Sequence, residues 1–163
     1  MSYTIEPIKD EHVPAILVLM AEFAEYEKLA RYLLITEEKL RDVMFSRQAF
    51  VGGLIATSNG EPVGYAIYYP SFSTFRGQRG IFLEDLYVSE KCRGSGLGKL
   101  MLKRIAAHAR SQGIERIDFH VLDWNTPAID FYAKLGAERA DAERHFKFTD
   151  KAFANLARET LPA

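Results

Sequence analysis

The feature that most constrains this chain is a glycine-rich stretch, Arg93-Gly94-Ser95-Gly96-Leu97-Gly98-Lys99, set between an apolar run and an amphipathic one. The run before it, Ile81 to Val88, is apolar on both faces and reads as a strand central to a sheet. In the run after it, Leu97, Leu100, Met101, Ile105, His108 and Ala109 fall on one helical face, with Lys99, Lys103, Arg104 and Arg110 largely off it. Gly113 ends this helix, and Glu115 to Leu122 alternates as the next strand. Strand, helix and strand of this length make a right-handed parallel crossover. Glycines let backbone N–H groups converge on one point, and a helix N-terminus adds about half a positive charge there. The stretch is therefore a candidate anion site. It is not a nucleoside-triphosphate loop: counting back from Gly98-Lys99 puts Arg93 where a glycine belongs, and Leu100 stands where Ser or Thr belongs. Nor is it a dinucleotide fingerprint: counting from Gly94, the sixth residue is Lys99.

The rest of the chain supplies a single domain over residues 1–163. Thr4 to Ile8 reads as a first strand. A helix starts near Asp10, with Pro14 in its first turn and an apolar stripe of Val13, Ile16, Leu17, Met20, Phe23 and Ala24. Thr36 with Glu37 and Glu38 reads as a second helix start, whose buried face is Leu40, Val43 and Met44. Phe50 to Thr57 and Pro62 to Tyr69 are β-rich, and Asn59-Gly60 between them predicts a tight hairpin. Ser71 to Gly80 reads as a polar loop. Thr126-Pro127 opens a helix, with Thr as its cap, and Gly136 closes it. Arg144 to Thr149 reads as a final strand, and the tail from Lys151 as a short helix with Phe153, Leu156 and Leu161. The order is α/β: an antiparallel front half joined to a parallel crossover.

Composition excludes several classes. Hydrophobic residues make up 48% and charged residues 26%, and the formal net charge is −1. That is a globular balance with no basic field for nucleic acid. One cysteine, Cys92, excludes a disulfide framework and a cysteine-rich zinc site. His12, His108, His120 and His145 show no metal-ligand spacing, so no metal is expected. His120 and Asp118 share a strand face, and a local hydrogen bond is their default. The apolar stretch Val13 to Met20 is too short for a membrane span, and the first ten residues carry no apolar signal region, so a cytoplasmic protein is the expectation.

The pattern Arg-x-x-Gly-x-Gly, with its strand and helix, resembles the Gcn5-related N-acetyltransferases. The segments Ala21 to Leu29, Phe82-Leu83-Glu84-Asp85-Leu86-Tyr87-Val88, and Val121-Leu122-Asp123-Trp124-Asn125 through Phe131-Tyr132 are similar to the spermidine/spermine branch, most of all to its thialysine-acetylating members. The resemblance runs from about Tyr3 to Phe148. It implies a mixed sheet, helices on both faces, splayed between the strands Ile81–Val88 and Glu115–Leu122, with acetyl-coenzyme A in the gap. It implies that Arg93, Gly94, Ser95, Gly96, Leu97, Gly98 and Lys99 hold the pyrophosphate. It further implies that the backbone from Leu86 through Tyr87 to Val88 pairs with the pantetheine arm, which Asn125 also contacts. It implies a homodimer with sites near the interface.

Acetyl transfer to an amine makes three demands: an amine without its proton, a stabilised thioester oxygen, and a leaving thiolate that is protonated or well solvated. An alkylammonium has a pKa of about 10.4, so presenting it neutral near pH 7.4 takes roughly 4 kcal/mol. Glu84 and Asp85 are the candidate proton acceptors. On a regular strand they point to opposite faces, and only a bulge brings them together. The resemblance assigns proton removal to Glu84, directly or through water, and holding of the cation to Asp85. It assigns oxyanion stabilisation to the Leu86 amide and the general acid to Tyr132. It places Tyr26, Glu27 and Trp124 around the acceptor. The branch's Gly-Trp pair near the final strand is absent, since Asp141-Ala142-Glu143-Arg144 stands there, and Ala30-Arg31-Tyr32-Leu33 replaces a more acidic stretch. A short diamine or lysine-like amine fits better than a long polyamine.

Overall fold

The computed structural model describes residues 2–158. They form two compact units, one ending at His120 and one beginning at Val121.

The first unit is a five-stranded sheet in the order β1-β2-β3-β4-β5. Its strands are β1 (Thr4–Pro7), β2 (Gly52–Ser58), β3 (Glu61–Ser73), β4 (Gln78–Val88) and β5 (Ile117–Phe119). The first four are antiparallel and β5 joins β4 in parallel. The β2–β3 turn is the Asn59-Gly60 hairpin, with both residues at positive φ (53° and 84°), as a two-residue primed turn requires. The stretch Ser71 to Gly80 is not a loop. Both strands run through it and leave only Thr74 to Gly77 as a turn, because Ser71, Phe72 and Ser73 continue the ladder opposite Gly80, Arg79 and Gln78. The parallel strand is also shorter than Glu115 to Leu122.

Helices cover both faces of this sheet. On one lie α1 (Val13–Tyr26) and α2 (Glu37–Phe45), around Ile55, Tyr65, Ile67 and Tyr87. Helix α1 buries Val13, Ile16, Leu19, Met20 and Ala24, while Leu17 and Phe23 pack at its margin. Thr36 caps α2, its hydroxyl accepting from the Lys39 amide (3.3 Å). On the other face α3 (Leu97–Ser111) packs Leu97, Met101, Ile105 and Ala109 against Leu54, Ala56, Ala66, Ile81 and Leu83. Leu100 and His108 are exposed, so the stripe is narrower than its sequence suggests. Burying these side chains removes apolar surface from water at about 25 cal/mol per Å², the term that holds the layers together.

The second unit carries α4 (Thr126–Lys134) and α5 (Asp150–Arg158). The cap of α4 is Asn125, not Thr126: its side chain accepts from the Ala128 amide (3.3 Å), and Thr126 and Pro127 fill the first turn. Gly136, at φ 90°, ends the helix. The segment Arg144 to Thr149 forms no strand among the described residues. Leu161 lies outside them.

Candidate active site

The decisive local feature is a β-bulge in β4. Ile67 pairs with Asp85 and Tyr68 pairs with Leu83, so Glu84 is an extra residue with no partner on β3. Before the bulge, Ile81 and Leu83 face α3. After it, Asp85 and Tyr87 lie on the α1 side, and Leu86 and Val88 on the α3 side. Alternation from Phe82, which pairs with Tyr69, puts Glu84 on the α1 side as well. Two adjacent carboxylates therefore share one face. Their partners show it. The Tyr65 hydroxyl donates to Asp85 Oδ2 (3.0 Å) and the Tyr69 hydroxyl to Glu84 Oε2 (3.1 Å), and these tyrosines stand four residues apart on one strand.

The two carboxylates sit in different surroundings. Glu84 is exposed. Asp85 is half-buried, and burial pushes its carboxyl up to about 6, with the Tyr65 hydrogen bond pulling it down and the charges of Glu84 and Glu27 pushing it further up. Glu27, just beyond the end of α1, is also raised by burial. Burial and the facing Asp85 raise Tyr65 above the ordinary tyrosine range, and burial with Glu84 beside it pushes Tyr69 up to about 12. This face of the sheet is thus rich in negative charge and, around Asp85 and Tyr65, poor in solvent, an environment that favours a bound cation.

The edge of β4 completes the arrangement. Its described ladder with β5 covers only Ile81 to Leu83. On the other side, the Ser89 amide donates to the Val63 carbonyl (2.9 Å) while Val88 stands opposite Gly64. In an antiparallel ladder that pattern directs the N–H and C=O of Val88, and of Leu86 two residues earlier, away from β3. Both amides point to the edge that β5 leaves.

Past β4, Gly94 and Gly96 adopt φ of 74° and 86°, and a Cβ at either would meet only open space. The glycines answer a backbone demand, not a packing one. Gly96 is the N-cap of α3, and the first intrahelical bond runs from Leu100 to Gly96 (3.0 Å). The amides of Leu97, Gly98 and Lys99 precede it, as the open N-terminal donors of a helix do. The Ser95 hydroxyl donates to the Cys92 carbonyl (2.6 Å). Arg93 Nε donates to the Val88 carbonyl (3.2 Å).

The first unit therefore brings together Tyr26, Glu27, Glu84, Asp85, Leu86, Tyr87, Val88 and the stretch Arg93 to Lys99. Trp124, Asn125 and Tyr132 belong to the second unit. There Trp124 is largely exposed, Asn125 is the buried cap, and Tyr132 is half-buried against Phe131 (ring centroids 5.1 Å). Sequence reasoning missed Tyr65, Tyr69 and Glu22; the last accepts from the Tyr87 and Ser89 hydroxyls (3.1 and 3.0 Å). The i, i+4 spacing of Tyr65 and Tyr69 on a strand was the available signal. Asp118 accepts from Arg116 Nε (2.6 Å).

The model of the acetyltransferase (GNAT) family matches residues 16–137. The chain belongs to that family. Its similarity extends to the thialysine N-epsilon-acetyltransferase of Bos taurus, 40% identical over 94% of this chain and 96% of that one, and to that of Sus scrofa, 38% identical over 96% and 98%. Among solved structures, an integron cassette protein from the V. cholerae mobile metagenome superposes with a TM-score of 0.82 at 23% identity, covering 98% of this chain and 99% of that one. A soil-metagenome aminoglycoside acetyltransferase, meta-AAC0020, superposes at 0.77 and 18%, covering 91% and 97%. These two share the fold. The protein is a GNAT acetyltransferase, and such enzymes use acetyl-CoA. The residues present suit that donor: an anion cradle at the α3 N-terminus, and a strand edge with Leu86 and Val88 amides directed outward.

Proposed function

We propose that the protein moves an acetyl group directly, in a ternary complex, from acetyl-CoA to the primary amine of a small diamine or lysine-like acceptor such as thialysine. The carrying observation is the bulge, which sets Glu84 and Asp85 on one face, next in sequence to the outward-pointing Leu86 amide. The thialysine acetyltransferases, 34–40% identical, support the choice of acceptor. The absence of the branch's extra acidic residues and Gly-Trp pair argues for a short amine.

Bound acetyl-CoA supplies an activated acetyl thioester. Arg93 to Lys99 hold its pyrophosphate, with Asn125 on its arm, and the backbone of Leu86, Tyr87 and Val88 orients it. The Leu86 N–H takes up the negative charge that builds on the thioester oxygen. Asp85 and Glu27 hold the ammonium, and Glu84 removes its proton directly or through water. Tyr26 and Trp124 wall the acceptor. Tyr132 supplies a proton or a strong hydrogen bond to the departing sulfur. In this reading residues 1–163 act as one catalytic domain, without a metal, as a cytoplasmic homodimer.

The test is thiol release from acetyl-CoA with thialysine, lysine, putrescine, spermidine, spermine and a lysine peptide. Turnover with kcat in the usual range of about 1–10³ s⁻¹ on a short amine bears the reading out. Turnover on the peptide alone moves the acceptor to a protein. Acetyl-CoA binding without turnover on any amine sinks it.

A further inference from the structure

Glu84 stands where no ladder partner fixes its side chain. The bulge removes the β3 residue that a regular strand position would pack beside, and the side chain is exposed. Asp85 lies next to it on the same face, with the charge of Glu27 also in reach of Asp85. Like charges repel, so the Glu84 carboxylate left to itself would swing away into water. What holds it is a hydroxyl: Tyr69 donates to its Oε2.

Tyr69 is itself held. It pairs with Phe82 across the β3–β4 ladder, and the two rings stack at 5.3 Å between centroids and 25° between planes. Phe50, just before β2, meets the same ring edge-on at 6.3 Å and 67°. Both separations fall in the range of favourable aromatic pairs. The hydroxyl is therefore presented from a fixed ring. Burial, with the Glu84 charge beside it, pushes that hydroxyl up to about 12, so it keeps its proton and remains a donor.

We propose that Tyr69 is a positioning residue for the proton acceptor: with its ring held by Phe50 and Phe82, its hydroxyl keeps the Glu84 carboxylate on the face it shares with Asp85. This rests on the reading above in which Glu84 removes the proton of the amine.

Tyr69→Phe keeps the ring and its stack and removes only the hydroxyl. On the preferred short amine, kcat should fall about tenfold, the weaker end of what a hydrogen bond to a charged group supplies. The KM values for amine and acetyl-CoA should stay within about twofold of wild type, since neither binding contact is lost. An aminooxy analogue of the same acceptor is already neutral near neutral pH and needs no base before attack, so on it the loss should be under about twofold. In a Glu84→Gln background, adding Tyr69→Phe should cost nothing more, the mark of two residues acting as one. Equal losses on the amine and the aminooxy acceptor, or a further loss in the Glu84→Gln background, overturn the proposal. A Glu84→Gln enzyme as fast as wild type, or a wild type without amine turnover, defeats the functional reading instead. Crystal structures then decide this proposal separately: Tyr69→Phe should spread the Glu84 carboxylate over several positions where the wild type holds one, and a carboxylate unmoved by the substitution overturns it.

Discussion

Asp85 is costly to keep ionised in the fold, and that cost is measurable. Its carboxyl is carried from 3.8 to about 6, first by burial and then by the neighbouring charges of Glu84 and Glu27 against the opposing Tyr65 hydrogen bond. At 1.36 kcal/mol per pKa unit the displacement amounts to about 3 kcal/mol. For a carboxyl raised on folding, the native state holds a proton that the unfolded chain has released between the two values. Stability is therefore greatest below about pH 4, falls as pH rises to about 6, and is level above that. Asp85→Asn keeps an acceptor for the Tyr65 hydroxyl and carries no charge. The variant should gain on wild type by up to about 3 kcal/mol between pH 4 and pH 7, a large share of an ordinary folding free energy. Urea unfolding midpoints of the two proteins across pH 4 to 8 measure the gap. Tyr65→Phe supplies the control: without the hydroxyl that lowers Asp85, the sloping window should extend to higher pH. Parallel stability curves for wild type and Asp85→Asn would refute the argument, because the carboxyl would then be as well solvated in the fold as in the unfolded chain.

Tyr132→Phe should lower kcat at least about a hundredfold, the modest end of what a general acid contributes, with the acetyl-CoA KM little changed; steady-state kinetics at saturating amine decide it. Gly96→Ala places a Cβ on a residue at φ 86° with nothing to clash against, so the cost is backbone strain alone, about 1–2 kcal/mol. It should appear as a lower unfolding midpoint together with a higher acetyl-CoA KM, since the strained residue is the α3 N-cap.

Much of this fold was legible because its local signals agree with its packing. Asn59-Gly60 has one good use, the primed turn it makes. The apolar run Ile81 to Val88 and the glycine stretch after it fixed the centre of the sheet and the start of α3. What escaped was decided by partners far away in sequence. Ser71 to Gly80 looks like a loop because its residues are polar or small, yet each finds a ladder partner across the hairpin. Polarity there reflects a strand extension with solvated faces. Thr126 looked like a cap, but the residue before it, Asn125, holds that place, and both side chains suit a helix start equally well.

The acidic pair marks the boundary between what composition and geometry can say. Glu84-Asp85 in an apolar strand signals function, because a carboxylate on either buried face is costly without a purpose. Alternation alone then forces them apart, and only one residue of slippage against β3 brings them together. No residue in β4 announces that slippage. It is visible in the opposite strand, where Tyr65 and Tyr69 place two hydroxyls on one face, four residues apart, each matched to one carboxylate. A regular β4 would leave one of those hydroxyls facing a hydrophobic neighbour. The tyrosines thus favour the bulged register over the regular one, and the same extra residue leaves Leu86 on the α3 side with its amide at the open edge. One inserted residue adds a second carboxylate to the face that carries Asp85. Removing Glu84 by deletion, which restores a regular ladder through Leu83 and Asp85, should therefore take one carboxylate off that face while leaving Asp85 opposite Ile67 and the Leu86 amide at the open edge.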